Sequence, residues 1–214
     1  MLKAILWDND GVLVDTEKLY FEACKNVLAN IGIDLTLEQY QEYSLRQGVS
    51  VFGLAAAGGF SHERILELKK ERNAIYEELL REQCEIYPGV EEVLIQLAGN
   101  FRMAIVTSSR RRHFEAIHNK RNLTRYFEFS LSQEEYAKSK PHPDPYLAAI
   151  KRMALPADSC VAIEDTERGL ASALAAGLRC IIIPNNFTKH CRFAGATAVL
   201  GSIRELPSCL MKLD

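Results

Sequence analysis

The sequence predicts an α/β fold in which helices cover a parallel β-sheet and a small α-helical domain is inserted after the first strand. Short apolar runs of strand length alternate with segments whose apolar residues recur at helical spacing, a pattern typical of parallel sheets with helical crossovers. The alternation stops between residues 16 and 87, where every segment has a helical pattern. The inserted helices are therefore predicted to form a unit of their own.

Each predicted element has its own apolar pattern. Runs at residues 4–7, 103–106, 160–163 and 180–183 predict buried parallel strands, and shorter segments at 127–131 and 198–200 predict two more. Helices are predicted between the strands at 90–97, 146–153 and 170–176, and Gly177 ends the last of these. The inserted segment is predicted to form helices at 18–31, 36–46, 51–57 and 63–83, the last with the high charge of a surface helix.

Composition narrows the classes of function. The chain has 214 residues and a formal net charge of -2, which argues against a general nucleic-acid-binding protein. No apolar stretch approaches the ~20 residues that a membrane-spanning helix needs, and the first residues do not resemble a signal peptide. The six cysteines form no C-x-x-C pair, so we expect a reduced, cytoplasmic protein without zinc. The sequence has no coiled-coil pattern and no sign of a large apolar interface, so no obligate protein partner is expected.

Two aspartates directly after the first predicted strand are the most informative residues. Side chains alternate in extended chain, so Asp8 and Asp10 are expected to point to one side and Asn9 to the other. Two carboxylates at the carboxyl end of a strand can hold a divalent cation or divide the roles of nucleophile and acid/base. An Asx turn that ends the strand is the alternative, and this segment alone does not decide between the two.

Polar residues also follow two other predicted strands. Thr107-Ser108-Ser109 follows residues 103–106, and Glu164-Asp165-Thr166 follows residues 160–163. Ligands of open parallel sheets bind outside the carboxyl ends of the strands. The candidate metal and phosphate ligands are therefore expected at one edge of the sheet.

With these residues assembled, the chain resembles the haloacid dehalogenase-like phosphohydrolase superfamily, and most of all its branch of β-phosphoglucomutase and small sugar-phosphate phosphatases. Four motifs in the family's order carry the resemblance: Asp8-Asn9-Asp10-Gly11-Val12-Leu13-Val14-Asp15-Thr16-Glu17, Thr107-Ser108-Ser109, Lys140-Pro141-His142-Pro143-Asp144-Pro145-Tyr146, and Ile163-Glu164-Asp165-Thr166 with Gly169. The resemblance extends over essentially the whole chain. It implies a Rossmann-like α/β core at residues 1–15 and 88–214 and a helical cap domain at residues 16–87.

The resemblance implies a role for each acidic residue. Asp8 would be the nucleophile that forms an aspartyl-phosphate, and Asp10 would be the general acid and base. The implied cofactor is Mg²⁺, held by the Asp8 carboxylate, the main-chain carbonyl of Asp10 and Asp165, with Glu164 as a direct or water-mediated ligand. For Glu164 and Asp165 the alternative is an acid pair that complements the dipole of the following helix.

The resemblance also implies phosphate-binding groups. The Thr107 hydroxyl and backbone N–H groups around Ser108 would contact phosphate oxygens, and Lys140 would bridge the nucleophile and the phosphoryl group. A helix cap is the alternative for Thr107, and an exposed loop position is the alternative for Lys140. His142 is the only histidine expected near the chemistry, and its side chain is expected at the surface. Asn9 replaces the apolar residue often found at that position and is expected to alter packing rather than activity.

The cap is expected to determine specificity. The turn at residues 46–50 resembles the loop that reaches over the active site in this family, so Arg46, Gly48 and Ser50 are candidate contacts to the leaving group. An ordinary glycine turn between two helices is the alternative at this position.

These observations predict a Mg²⁺-dependent phosphomonoester hydrolase for a small phosphorylated metabolite such as a sugar phosphate. A phosphomutase is the first alternative, and two departures disfavour it, because Val51 stands in place of the mutase's arginine and Tyr20 in place of its histidine. An inactive phosphometabolite-binding protein is the second alternative. It predicts erosion of the catalytic residues, all of which are present.

Overall fold

The computed structural model describes residues 1–213, which divide into two compact units. One unit consists of Met1–Asp15 and the chain from Glu85 onwards, and the other of Thr16–Cys84. The first contains the sheet and the second is helical. The range predicted for the cap domain, residues 16–87, contains all residues of the second unit and also residues 85–87 of the first. The role of the helical unit as a cap stays a prediction.

The first unit is built on a six-stranded parallel sheet, which confirms the predicted α/β class. The strands in chain order are β1 (Ala4–Trp7), β2 (Val14–Asp15), β3 (Glu85–Ile86), β4 (Arg102–Val106), β5 (Phe129–Leu131), β6 (Cys160–Glu164), β7 (Arg179–Ile182) and β8 (Ala198–Val199). The sheet order is β5-β4-β1-β6-β7-β8, and β2 and β3 form a separate antiparallel pair. β1 lies between β4 and β6 and is buried throughout, which is why it is apolar at every position.

Nine α-helices complete the described chain. They are α1 (Glu17–Ala29), α2 (Leu37–Tyr40), α3 (Gly53–Ala57) and α4 (His62–Gln83) in the second unit, and α5 (Val90–Leu97), α6 (Arg111–His118), α7 (Asp144–Met153), α8 (Glu167–Ala175) and α9 (Leu206–Leu210) in the first. α7 and α8 cover one face of the sheet, where Tyr146 and Ala173 join a buried cluster with Leu6, Ala104 and Ala162. None of the described helices is long and apolar enough to cross a membrane.

Three of the predicted boundaries differ from the structure for a local structural reason. The helix predicted at 36–46 is α2 followed by a π-helix at Gln41–Gln47, which ends where Gly48 adopts a left-handed conformation with φ 68°. The helix predicted at 51–57 begins only at Gly53, because a turn joins the Gly53 N–H to the Ser50 carbonyl at 2.9 Å. β5 begins at Phe129 and not at residue 127, since the preceding residues form a 3₁₀ turn at Leu123–Tyr126.

The second unit buries a cation of its own. Arg72 of α4 is 9% exposed and donates hydrogen bonds to the Asn73 Oδ1 at 3.0 Å, to the Cys24 sulfur at 3.5 Å and to the Tyr20 hydroxyl. Its guanidinium also lies 4.5 Å from the centroid of the Tyr20 ring and 5.6 Å from that of Phe52. The charged pattern of α4 predicts a surface helix and gave no sign of this buried arginine.

Candidate active site

Two neighbouring strands, β1 and β6, bring the predicted acidic residues together at one edge of the sheet. Asp8 follows β1, and Glu164 and Asp165 lie at the end of β6, with the Asp8 N–H bonded to the Ile163 carbonyl at 2.9 Å. The three carboxylates are buried, and each offers an oxygen within 4.8 Å of those of the other two. Parallel register places these strand ends side by side, so residues far apart in sequence form one cluster.

Lys140 lies inside this acidic cluster. Its Nζ donates to the Asp8 Oδ1 at 2.6 Å and to the Val106 carbonyl at 2.8 Å, and it lies 2.7 Å from the Glu164 Oε1. The side chain is 6% exposed, so the exposed loop position considered for this lysine is wrong. Burial works to lower the pKa of Lys140, but Asp8 and Glu164 outweigh it and raise the pKa, so the group is an ammonium.

Three polar side chains hold the backbone around Lys140. Arg168 of α8 donates to the Lys140 carbonyl, and the Ser172 hydroxyl donates to the His142 carbonyl at 2.6 Å. Asp144 accepts from the Lys138 N–H at 3.1 Å. These bonds tie the loop to α8 and α7, so the ammonium is presented from a fixed backbone.

Asp10 is held apart from the three-carboxylate cluster. Its Oδ2 accepts hydrogen bonds from the Thr107 hydroxyl at 2.7 Å and from the Ser109 hydroxyl at 3.0 Å. Thr107 in turn accepts from the Ser109 N–H at 2.9 Å, and it does not cap α6, whose N-cap is Arg110. The neighbouring Ser108 is exposed. The Thr107 hydroxyl is therefore directed at a carboxylate that could exchange protons with a ligand at this edge.

Glu164 is fixed by groups on α7 and α8. Its Oε1 accepts from the Tyr146 hydroxyl at 2.6 Å, and Tyr146 is fully buried. A Cβ at Gly169 would lie 1.9 Å from the Glu164 Oε2, so only glycine leaves room for the carboxylate there. Glu164 and Asp165 are both 1% exposed, and they directly precede α8 and its N-cap Thr166, so complementing the dipole of that helix stays an alternative to metal binding.

Asn185 is a site residue that sequence reasoning missed. Its amide nitrogen donates to the Asp165 Oδ2 at 2.7 Å and to the Gly11 carbonyl at 3.2 Å. It therefore joins the loop after β1 to the acid after β6. Its position after a strand could have indicated a site residue, since Asn185 comes shortly after β7 and Asp165 directly after β6. Its neutral amide side chain, however, suggested no catalytic role.

His118 is a second residue that sequence reasoning missed. Its Nε2 lies 2.7 Å from the Asn9 Oδ1, although the two residues are 109 positions apart, and both are buried. Burial lowers the pKa of His118 to about 4, so the ring is neutral near pH 7. His142, the histidine expected near the chemistry, pairs with the Asp144 carboxylate at 2.8 Å on a partly exposed loop. Asn9 therefore does more than alter apolar packing.

The site residues fit a hard divalent cation. Asp8, Asp10, Glu164 and Asp165 bring four carboxyl groups to this edge, and within residues 1–213 Lys140 is the ammonium that contacts them, at Asp8 and Glu164. The excess of negative charge calls for a further cation, and an all-oxygen donor set suits the alkaline-earth ions better than zinc. Gly11, with φ +89°, allows the close approach, because a Cβ there would lie 2.2 Å from the Asp165 Oδ2.

The predicted specificity residues of the helical unit have local partners. Arg46 pairs with Glu42 of the same π-helix at 2.6 Å, and both side chains are exposed. The Ser50 hydroxyl accepts from the Phe52 N–H at 3.4 Å, and Gly48 ends the π-helix. These contacts are those of an ordinary helix-connecting turn, and a role in specificity stays a prediction.

Comparison with known proteins identifies relatives over most of the chain. A family model described as haloacid dehalogenase-like hydrolase matches residues 5–183. Protein CbbY of Rhodobacter capsulatus is 32% identical, covering 96% of this chain and 99% of its own length. The phosphorylated carbohydrates phosphatase of Thermotoga maritima is 30% identical, covering 83% of this chain and 82% of its own. The crystal structure of a CbbY mutant from Rhodobacter sphaeroides in complex with xylulose-(1,5)bisphosphate is 28% identical over 96% of both chains, with a TM-score of 0.82.

Proposed function

The chain belongs to the haloacid dehalogenase-like hydrolase family, and we propose that it is a Mg²⁺-dependent phosphatase that acts on a phosphorylated carbohydrate through an aspartyl-phosphate. The reaction class is hydrolysis of a phosphoric monoester. The observation that carries the proposal is the buried cluster of Asp8, Glu164 and Asp165, with Lys140 bonded to Asp8. A carboxylate at the end of a central strand can attack a phosphoryl group. An ammonium beside it can neutralise the negative charge that develops.

In the first step Asp8 attacks phosphorus. One Asp8 carboxylate oxygen forms a bond to phosphorus while the bond from phosphorus to the ester oxygen breaks, and Asp10 gives a proton to that leaving oxygen. Lys140 stabilises the negative charge that builds up on the phosphoryl oxygens. Its contact with Asp8 in the free protein, at 2.6 Å, means that the ammonium needs little rearrangement to act.

In the second step water cleaves the aspartyl-phosphate. Asp10 takes a proton from the water as its oxygen bonds to phosphorus, the bond from phosphorus to Asp8 breaks, and inorganic phosphate leaves. The Thr107 and Ser109 hydroxyls, which donate to Asp10 in the free protein, keep its carboxylate oriented toward the site. Thr107 is also our candidate donor to a phosphate oxygen once Asp10 is protonated, together with N–H groups near Ser108.

The residues present would hold Mg²⁺ through the Asp8 carboxylate, the main-chain carbonyl of Asp10 and Asp165, with Glu164 direct or through water. When bound, the ion supplies positive charge that offsets the repulsion between a carboxylate nucleophile and an anionic ester. Asn185 orients Asp165 for this role through its 2.7 Å hydrogen bond.

The carbohydrate substrate class is inferred from the relatives. One is a phosphatase of phosphorylated carbohydrates, and a CbbY structure contains a xylulose bisphosphate. Arg46, Gly48 and Ser50 remain our candidates for specificity within this class. The protein is proposed to act without nucleic acid, membrane or protein partners.

The test is phosphate release from a panel of pentose and hexose phosphates, phosphoglycolate and nucleotide monophosphates. Wild-type protein should release phosphate with magnesium and none with a chelator, and the carbohydrate phosphates should be the best substrates. Asp8→Asn should abolish release in a folded protein, because an amide is no substitute for the attacking carboxylate. Asp158→Asn is the matched control, since Asp158 is exposed and lies in the same unit.

Two outcomes would overturn the proposal. Equal release by Asp8→Asn would exclude Asp8 as the nucleophile. The absence of release from every compound by folded wild-type protein would exclude the phosphatase and favour the phosphomutase, for which a sugar phosphate isomerised by the same preparation would be the evidence.

A further inference from the structure

We propose that Asn9 and His118 are positioning residues whose buried hydrogen bond holds the Asp8–Asp10 segment in the conformation that hydrolysis requires. The proposal rests on the proposed function, because it assumes that Asp8 and Asp10 perform the reaction. It assigns a role to the side chain between them, which points away from the acidic cluster, and to a histidine at the end of α6.

The hydrogen bond has a defined direction. The Asn9 Oδ1 can only accept, so the His118 Nε2 carries the proton at their 2.7 Å contact and Nδ1 is the bare nitrogen. The His118 ring also packs against Phe114, with 4.5 Å between ring centroids. This packing restricts rotation of the imidazole, so the donor is held at a fixed point on α6.

The same asparagine closes the turn that carries Asp10. The Asn9 carbonyl accepts from the Leu13 N–H at 2.9 Å and from the Val14 N–H at 3.2 Å, and the Gly11 N–H donates to the Val14 carbonyl at 2.9 Å. The Asn9 carbonyl is thus the acceptor that connects the start of this turn to its end. Its side-chain bond to His118 attaches the whole turn to α6, which follows the Thr107 and Ser109 partners of Asp10 along the chain.

Stability alone does not account for this polar pair. The Asn9 Nδ2 and the His118 Nδ1 are both buried without a hydrogen-bond partner among the described residues. Each unpaired group is unfavourable, whereas two apolar side chains of similar shape in their place would be neutral or stabilising. What the polar pair adds is directionality, because a hydrogen bond specifies distance and angle and an apolar contact does not.

The first test separates positioning from stability. Leucine has the branched shape of asparagine, so Asn9→Leu/His118→Leu should fold with a thermal midpoint no lower than that of the wild type. Its kcat should fall about ten-fold with KM unchanged, because a small misplacement of Asp8 and Asp10 affects the transition state more than binding. His118→Gln, whose amide N–H can take the place of Nε2–H, should keep most of kcat. A double variant with wild-type kcat would overturn the proposal.

The second test needs no turnover, so it keeps this proposal separate from the fate of the proposed function. Hydrogen exchange of the Leu13 and Val14 amides should become about ten-fold faster in the double variant, because their acceptor, the Asn9 carbonyl, loses its attachment to α6. Exchange of the Ile181 amide in β7 should not change, and His118→Gln should keep the protection of both turn amides. Unchanged exchange at Leu13 and Val14 would overturn the proposal even if the wild type proved inactive.

Discussion

Each of the two units contains a buried cation, and their surroundings differ. Lys140 in the sheet unit contacts two carboxylates, those of Asp8 and Glu164. Arg72 in the helical unit contacts a phenol, a thiol, an amide and two aromatic rings, and no carboxylate among residues 1–213 forms an ion pair with it. Lys140 offsets part of the negative charge at the site, whereas Arg72 is held by neutral groups.

The two surroundings predict different losses of stability when the cation is removed. A buried ion pair is strongly destabilised when one partner is removed, because the other charge is left without compensation. A buried cation held by neutral dipoles and π-faces leaves no charge behind when it is removed. The sheet unit should therefore depend on its cation more than the helical unit does.

Lys140→Met tests the larger of these effects. The substitution leaves the Asp8 and Glu164 carboxylates buried without their ammonium, so the free energy of unfolding should fall by about 3 kcal/mol. Phosphate release should fall by about a thousandfold, because the charge that stabilises the phosphoryl group is lost. Urea unfolding and initial-rate assays on the same preparation measure both.

Lys138→Met is the control for this prediction. Lys138 lies two positions away on the same loop and its side chain is exposed, so both stability and activity should stay near wild type. If Lys140→Met were as stable as Lys138→Met, the ammonium would not compensate the buried Asp8 and Glu164 carboxylates as inferred.

His118 differs from both buried cations, because it is a buried basic group that stays neutral near pH 7. Burial lowers its pKa to about 4, and the attraction of Asp10 does not compensate. In the unfolded chain a histidine titrates near pH 6.5, so the stability contributed by the neutral ring is complete above that pH and is lost as pH falls through about 4. Between pH 6.5 and pH 4 the free energy of unfolding of the wild type should therefore fall by up to about 3 kcal/mol more than that of Asn9→Leu/His118→Leu.

The measurement is the free energy of unfolding of both proteins between pH 7.5 and pH 4. His190→Leu is the control, because His190 is exposed, and it should show the pH dependence of the wild type. Parallel curves for the wild type and the double variant would contradict the lowered pKa of His118.

The sheet and its polar edge were predictable because they depend on the order of the strands along the chain and on the spacing of apolar residues. Parallel strands produce continuous apolar runs, and their register brings Asp8, Thr107 and Glu164 to one edge whatever the intervening sequence is. Lys140 required the resemblance to a known family, since nothing in a loop lysine itself indicates burial. The boundaries shifted where a π-helix or a 3₁₀ turn, neither of which has a strong sequence signal, replaced regular structure.

The remaining site contacts depend on tertiary packing between distant residues. The bond from Asn9 to His118 joins positions 109 residues apart, and no periodicity relates them. Arg72 lies in a helix whose charges predict exposure, and only the packing of α1 against α4 reveals that it is buried. Single-sequence patterns report which face of an element is apolar, and both contacts are exceptions to such patterns.

Arg72→Met tests the smaller effect and completes the comparison. Methionine keeps much of the apolar volume of Arg72. Loss of the cation–π contacts should cost about 1 kcal/mol of stability. Because a buried charge is also removed, its desolvation penalty disappears and offsets part of this loss. The free energy of unfolding should therefore fall by about 1 kcal/mol or less, roughly a third of the loss in Lys140→Met. Urea unfolding of both variants under the same conditions gives the ratio.

Arg72→Lys is the control that separates charge from shape. Lysine keeps the charge but lacks the planar guanidinium that lies over the Tyr20 ring and reaches both the Cys24 sulfur and the Asn73 amide oxygen. It should be less stable than Arg72→Met, because it retains a buried charge with fewer partners. If Arg72→Met lost as much stability as Lys140→Met, neutral groups would hold a buried cation as firmly as carboxylates do, and the contrast between the two units would not stand.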